Sequence, residues 1–273
     1  MANSLIPTSV AEADRRALRT AFGEEAELYD LRRPRYPDAL FEDLANSAGL
    51  LENSRVLELG CGTGQATLPL ARRGLSIVAL DIHEAMVAVA RRSLKSFPKV
   101  DVVNSPFELW PLPARPFDIV FSATAFHWID PGIRVSKSAE ALRPGGVLAV
   151  ASTYHIAGGT EDFFTEAQLC YERFLPNIPR GMRLPQEGEI AEDVSTFDAS
   201  GKFDPSRLYQ YAWDETYTAC EYVELLRTYA GHRTMPDGPR EGLLNAIEGL
   251  IEGSYGGAIT KRYLVQLSSA RRR

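Results

Sequence analysis

The sequence predicts an α/β fold: a doubly wound, mostly parallel sheet of seven strands, with N-terminal helices and an inserted helical cap. Between Arg55 and Val150, short apolar runs alternate with helical stretches, which is typical of parallel strands joined by crossover helices. Two later runs, at 208–217 and 258–267, supply a sixth and a seventh strand. The composition, 45% hydrophobic and 24% charged in 273 residues, is that of a globular chain.

Residues 1–50 are predicted to form a helical lid ahead of the sheet. A capping box at 9–12 begins an amphipathic helix over residues 10–22. The prolines at 34 and 37 then interrupt regular structure in the segment that follows. A second helix begins near Pro37 and ends at Gly49, the residue type that most often terminates helices.

Residues 51–153 are predicted to form the core, and its strands end where ligands of such folds bind. Each strand is a short run rich in Val, Ile and Leu, followed by polar or glycine residues. The five predicted strands are Val56–Leu59, Ser76–Leu80, Asp101–Val103, Phe117–Phe121 and Gly146–Val150.

The remaining chain is predicted to contain the cap and to complete the sheet. Residues 154–205 hold many glycines and prolines but include an aromatic helical stripe over 163–174, so we interpret them as an inserted cap. Residues 206–273 supply the last two strands and two helices. One helix begins at the capping box Thr218–Glu221, and the other begins at Asp237.

Charge and composition exclude several functions. A net charge of −6 and a pI near 5.4 disfavour nucleic acid as a partner, because such binding depends on neutralising phosphates. No apolar run has the length of a membrane span, and the first residues lack a secretory signal. The three widely spaced cysteines predict neither disulfides nor a metal site. We therefore expect a cytoplasmic protein without a membrane or nucleic-acid partner.

The strongest motif is the loop Glu58–Gly64, which follows the first strand and precedes a helix. A glycine-rich turn at this position exposes backbone N–H groups to a nucleotide-like ligand. The dinucleotide spacing G-x-G-x-x-G fails in both registers, because the last position is Gln65 or Thr67. Asp81 ends the next strand, where an acid is suited to accept both ribose hydroxyls.

This arrangement resembles the Rossmann-like core of class I S-adenosylmethionine-dependent methyltransferases. The resemblance covers residues 55–150, and within them it includes Phe117–Val120 and Leu142–Gly146. A weaker resemblance, at Tyr29–Pro37 and at the His127–Trp128 pair, is to a branch that acts on small molecules of the natural-product type. The resemblance implies S-adenosylmethionine as cofactor and a small-molecule methyl acceptor of specialised metabolism, and the aromatic residues of the predicted cap favour a hydrophobic acceptor.

The resemblance also implies which residues hold the cofactor. The glycines would face its methionine and ribose parts, Asp81 its ribose, Glu58 its ammonium group and Arg33 its carboxylate. In many relatives an Asp after the third strand contacts the amino group of adenine, but this chain has Pro106 there. Ser105 or the backbone of Phe107 must therefore contact adenine instead. The full predicted set is Tyr29, Arg33, Glu58, Gly60, Cys61, Gly62, Gly64, Gln65, Asp81, Ile82, Met86, Ser105, Phe107 and Ala123.

His127 follows the fourth strand and is the candidate general base, although a structural histidine is an equally good interpretation. His155 is the second candidate for the general base. Aromatic residues of the cap either pack against the sheet or line an acceptor pocket. The predicted acceptor contacts are Trp128, His155, Phe163 and Tyr171.

Three alternatives remain open at this point. Methylation at an electron-rich carbon needs no base, and its cationic product can rearrange or cyclise. A protein of this fold can also bind the cofactor without methylating, and a nicotinamide oxidoreductase is the outside alternative. The sequence identifies neither the acceptor nor the methylated atom, and the chain is a monomer or a homo-oligomer formed through its N-terminal helix.

Overall fold

The computed structural model describes residues 25–175, 178–191 and 195–273. The helix predicted over residues 10–22 lies outside them. Within these ranges, no helix combines the length and the apolar character that crossing a bilayer requires.

Seven strands form one sheet in the order β3-β2-β1-β4-β5-β7-β6. The first five alternate with helices, as the sequence pattern predicts, so the doubly wound class is confirmed. The strands are β1 Arg55–Leu59, β2 Ser76–Asp81, β3 Val100–Asn104, β4 Phe117–Ala123, β5 Leu142–Gly159, β6 Arg207–Thr218 and β7 Ala258–Arg271.

The sheet is parallel from β3 to β5 and antiparallel beyond it. β1 pairs in parallel with β2 and β4, and β3 and β5 extend the ladder in parallel. The amide of Arg272 donates to the carbonyl of Gly146 at 2.7 Å, and the amide of Thr160 donates to that of Thr260 at 2.9 Å. Ascending residues of β5 thus meet descending residues of β7, which is the antiparallel arrangement.

Ten α-helices accompany the strands in the described ranges. Gly49 ends α2 in the left-handed conformation, and Thr218 caps α8 through its hydroxyl, as predicted. The helices are α1 Ala26–Arg32, α2 Asp38–Ala48, α3 Thr67–Arg72, α4 Glu84–Ser93, α5 Arg134–Ala141, α6 Glu161–Phe174, α7 Ser195–Asp198, α8 Ala219–Arg227, α9 Ala230–Arg233 and α10 Asp237–Ser254.

The prolines at 34 and 37 interrupt regular structure as predicted, because α1 ends at Arg32, before Pro34. One sequence prediction needs correction. The fifth strand does not end at Val150 but continues to Gly159, so the first residues assigned to the cap belong to the sheet. Burial explains this length: Tyr154 and Ile156 pack with Leu264 in a small apolar cluster.

The chain divides into two compact units. The core unit comprises the described residues of 35–152, 192–211 and 265–273, and the cap unit comprises the described residues of 1–34, 153–191 and 212–264. Residues 195–205, predicted as cap, group with the core unit. The core unit is held together by apolar side chains of its strands and helices, such as Leu57 and Phe117. The cap unit is held together by a second cluster, which includes Phe163.

Candidate functional site

The glycine loop between β1 and α3 requires its glycines. Gly60, Gly62 and Gly64 have φ values of 70°, 55° and 88°, a region that residues with side chains rarely adopt. A Cβ atom on Gly60 would lie 2.4 Å from the Cβ of Ala125, and one on Gly64 would lie 3.0 Å from Leu94 Cδ1. The loop therefore presents bare backbone at the end of β1.

The carboxylate of Asp81, at the end of β2, is held against this loop. The backbone N–H of Gly62 donates to Oδ2 at 2.9 Å, and the backbone N–H of His83 donates to Oδ1 at 2.9 Å. The imidazole Nδ1 of His83 lies 3.0 Å from the same Oδ1. The structure thus joins the loop and the acid that the sequence predicts separately, and it fixes the orientation of the acid.

Glu58 lies under the loop and is 1% exposed. Burial raises the pKa of its carboxyl group to about 8; a contact with Thr67 opposes the rise, and the negative charge of Asp81 adds to it. Within the described residues, Glu58 Oε2 has no hydrogen-bond partner, and the buried hydroxyls of Thr63 and Thr67 also have none. Buried polar atoms are normally paired, so this set fits a ligand that brings its own donors, such as an ammonium group.

The other loop residues, Cys61 and Gln65, have different surroundings. Cys61 is buried, its amide donates to the carbonyl of Leu80 at 3.0 Å, and burial raises the pKa of its thiol, so the thiol is not a nucleophile. Gln65 is half-buried at the approach to α3. We infer that Cys61 contributes backbone geometry rather than side-chain chemistry.

The residues predicted to meet adenine lie after β2 and β3. The amide of Ser105 donates to the carbonyl of Asp81 at 2.9 Å, which ties the two strand ends together. Met86 and Phe107 are 2% and 3% exposed, and Ile82 is half-buried. The structure thus brings Ser105 close to the acid.

Sequence reasoning missed one feature at the end of β4. Next to the predicted Ala123, Thr124 has a φ of 54°, an uncommon conformation for a β-branched residue. Its amide donates to the carbonyl of Ala151 at 2.7 Å, and its hydroxyl bonds that of Tyr36 at 2.9 Å. Tyr36, in the Tyr-Pro pair at 36–37, was the available signal for this contact. The sequence around Thr124 does not indicate its backbone conformation. Strain of this kind is common at functional sites.

His127 lies in a short 3₁₀ turn, Phe126–Trp128, that follows β4. Burial lowers the pKa of its imidazole to about 3, and the positive charge of Arg134 acts in the same direction. The imidazole packs against the indole of Trp128, with the two ring centroids 4.7 Å apart. Such an imidazole is neutral at pH 7, but its low pKa makes it a weak base.

The other predicted residues belong to the cap unit. Arg33 donates to the hydroxyl and the carbonyl of Thr228, both at 2.8 Å, and its guanidinium lies 4.8 Å from the ring centroid of Tyr29. Phe163 is fully buried in the apolar cluster of the cap unit. The Tyr171 hydroxyl bonds His232 Nε2 at 2.8 Å. Packing accounts for Phe163 and Tyr171, and their contact with an acceptor stays a prediction.

Comparisons with known proteins agree on one family. Residues 56–146 match the family of methyltransferase domains. An uncharacterised methyltransferase of Mycobacterium tuberculosis is 37% identical over 237 residues, which is 87% of this chain and 88% of that protein.

Solved structures are similar to the chain in fold. The YcgJ protein of Bacillus subtilis has a TM-score of 0.53 at 17% identity and covers 87% of this chain and 99% of its own. A phosphoethanolamine N-methyltransferase of Haemonchus contortus, solved with S-adenosylhomocysteine, has a TM-score of 0.52 at 16% identity. The match covers 98% of this chain and 61% of that protein. At these identities the likeness is one of fold.

Proposed function

Because this chain belongs to the class I S-adenosylmethionine-dependent methyltransferases, we propose that it binds S-adenosylmethionine and transfers the methyl group to a small, hydrophobic metabolite. One observation carries the proposal. Within the described residues, the buried Oε2 of Glu58 has no hydrogen-bond partner, and it lies under a bare glycine loop whose Gly62 amide orients Asp81. These groups match the donors and acceptors of the cofactor one by one.

Each group of the site has a separate task in this proposal. Asp81 accepts hydrogen bonds from the ribose hydroxyls, because two backbone amides already orient its oxygens. Glu58 accepts from the ammonium group, and the loop between them admits the ligand close to the backbone. When bound, the cofactor supplies a methyl group activated by a sulfonium. The protein contributes mainly position, which is the larger part of catalysis of such a displacement.

The surroundings of His127 favour an acceptor whose methylation does not require a general base. An imidazole whose pKa is about 3 takes up a proton weakly. Acceptors that are already ionised, or carbon nucleophiles, need no proton removal before attack. Carbon methylation is therefore the second candidate function, and retained activity in His127→Ala would support it.

The partners follow from the same proposal: a small-molecule acceptor, with assembly, if any, through residues 10–22. A cytoplasmic location remains a prediction from the sequence.

The first test is binding. S-adenosylhomocysteine is titrated calorimetrically into the full chain, into Asp81→Asn and into the control Asp101→Asn, whose side chain is exposed on β3. We expect a loss of at least about tenfold in affinity for Asp81→Asn, which removes the carboxylate, and none for the control. Absence of binding by the folded wild-type chain would overturn the proposal.

The second test is transfer. A metabolite library is incubated with methyl-labelled cofactor, and labelled products are identified by mass. A competent enzyme labels at least one acceptor in a reaction that Asp81→Asn slows. A chain that binds S-adenosylhomocysteine but labels nothing across acids, phenols, amines and activated carbons would instead be a binding protein that keeps the fold.

A further inference from the structure

The cap unit contains a buried lysine that has few hydrogen-bond acceptors. Lys261 on β7 is 2% exposed. Its Nζ donates to the hydroxyl of Tyr229 at 2.9 Å, and in the described part of the chain this is its one hydrogen bond. An ammonium group has three N–H donors. Two of them therefore stay without an acceptor in a place that water reaches poorly.

A second cation lies on the same tyrosine. The guanidinium of Arg33 is 4.2 Å from the ring centroid of Tyr229, and Lys261 Nζ is 5.0 Å from it. Among described residues, no carboxylate forms an ion pair with either cation. The neighbouring Arg32, by contrast, pairs with Glu221 at 2.9 Å and with Glu224. Within the described residues, carboxylates thus pair with Arg32 and not with Arg33 or Lys261.

Two histidines lie beside the tyrosines that contact these cations: the ring of His232 is 6.0 Å from that of Tyr229, and the ring of His155 is 6.3 Å from that of Tyr263. His155 Nε2 and His232 Nδ1 are buried and, within the described ranges, have no hydrogen-bond partner. Burial lowers the pKa of His232 to about 3, and the charges of Lys261 and Arg33 act in the same direction. Burial and Lys261 likewise lower the pKa of His155. Burial thus disfavours a charge on either imidazole, and the neighbouring cations disfavour further positive charge.

Aromatic rings surround these polar groups. Trp213 stacks on Tyr263 with centroids 5.2 Å apart, and the Nε1 of Trp213 has no partner among the residues that the structure describes. Phe164 lies 4.5 Å from the ring of His155. Aromatic rings beside the Nε1 donor of Trp213 suit a flat, unsaturated ligand.

Tyr229 is the phenol that contacts both cations. Burial acts to raise the pKa of its hydroxyl, but the charges of Lys261 and Arg33 outweigh burial and lower it. One phenol is a poor match for two cations, because it offers a single oxygen. A carboxylate offers two oxygens and about four acceptor sites.

We propose that Arg33 and Lys261 bind the carboxylate of a small aromatic or unsaturated acid, and that this acid is the methyl acceptor. The second clause rests on the proposed function; the anion site itself does not. A carboxylate is also present at the amino-acid end of the cofactor, and the two sources share one chemistry. The experiment must therefore separate them.

The test uses the full chain and probes matched in shape. Benzoate and cinnamate are titrated against benzamide and cinnamamide, with calorimetry and tryptophan fluorescence as readouts. We expect the acids to bind at least about tenfold more tightly than the amides, because a charged hydrogen bond is roughly twice as strong as a neutral one and is stronger still when desolvated. Equal affinity of acid and amide, or no binding of either acid, would overturn the anion site.

Variants then identify the residue and the source. Lys261→Met should abolish the preference for acids, Lys261→Arg should keep it, and Lys99→Met, a change at an exposed lysine of the core unit, should leave it intact. S-adenosylhomocysteine is titrated into each variant. Unchanged affinity in Lys261→Met excludes the cofactor's carboxylate as the occupant. Methyl-labelled cofactor incubated with the acids should then give a labelled acid with the wild-type chain and less of it with Lys261→Met. No labelled acid would overturn the acid's role as acceptor.

Two results would contradict that assignment. If Lys261→Met loses S-adenosylhomocysteine binding at least tenfold while keeping its preference for acids, the lysine serves the cofactor and the proposal is wrong. If the wild-type chain binds the acids but never S-adenosylhomocysteine, the methyltransferase function fails while the anion site stands. Should Lys261→Met not fold, the comparison of acids and amides on the wild-type chain still decides.

Discussion

Binding of the cofactor should release a proton from Glu58. Burial raises the pKa of this carboxyl to about 8, so about 0.9 of the molecules carry the proton at pH 7 by simple titration from that value. An ammonium group placed against Glu58 stabilises the ionised form and lowers its pKa. We therefore expect S-adenosylhomocysteine to release up to about 0.9 proton per site at pH 7.

The same carboxyl should depress stability as pH rises. Its pKa is about 8 in the folded chain, against 4.5 for the ordinary group, so between these values the folded state binds more protons than the unfolded state. Stability then falls with rising pH through this window. From pH 4.5 to 7 the loss is at most about 3 kcal/mol, at 1.36 kcal/mol per pH unit, and Glu58→Gln should remove it.

Calorimetry measures the proton directly. Titrations of S-adenosylhomocysteine in two buffers with different ionisation enthalpies yield the number of protons released, and urea unfolding between pH 5 and 8 yields the stability. Glu58→Gln should release none and lose its extra pH dependence, whereas Glu52→Gln, at an exposed position, should behave as wild type. Identical binding heats in both buffers for the wild-type chain would refute the reasoning.

Two further changes probe the core unit. Gly60→Ala should destabilise the chain by about 1–3 kcal/mol and abolish S-adenosylhomocysteine binding, because its Cβ would lie 2.4 Å from Ala125 at a φ of 70°; wild-type binding by calorimetry would contradict this. His127→Gln should keep the wild-type shape of the profile of kcat/KM against pH from about 5.5 to 8, because His127 has a pKa of about 3. A wild-type ionisation near 6.5 that is missing in the variant would show that His127 is the base.

Much of the core unit was predictable because its determinants are local. The run Val56–Leu59 is apolar at successive positions, and the glycines after it permit conformations that other residues avoid. Asp81 follows its strand in the same way. Parallel strands bring their carboxyl ends to one edge of the sheet, so the loop and Asp81 were expected to meet, and the hydrogen bond from Gly62 confirms that they do.

Other features were not predictable because they depend on partners distant in sequence. The fifth strand extends to Gly159 since Tyr154 and Ile156 find buried partners such as Leu264. The conformation of Thr124 depends on its contacts with Tyr36 and the Ala151 carbonyl, and no local pattern encodes those. The sequence also indicated His127 as a base, while burial, a tertiary property, sets its low pKa.

The sequence by itself determined the fold class, the glycine loop and the acid of the next strand, because periodicity and residue type act over a few positions. Only the tertiary structure decided that Glu58 is buried, with its Oε2 lacking a hydrogen-bond partner among the described residues, and that Arg33 and Lys261 share the ring of Tyr229. Neither cation stands out in the sequence as one of a pair. Their charge becomes informative only when packing removes water and, among the described residues, pairs no carboxylate with them, because the free-energy cost of burying an ion depends on its surroundings.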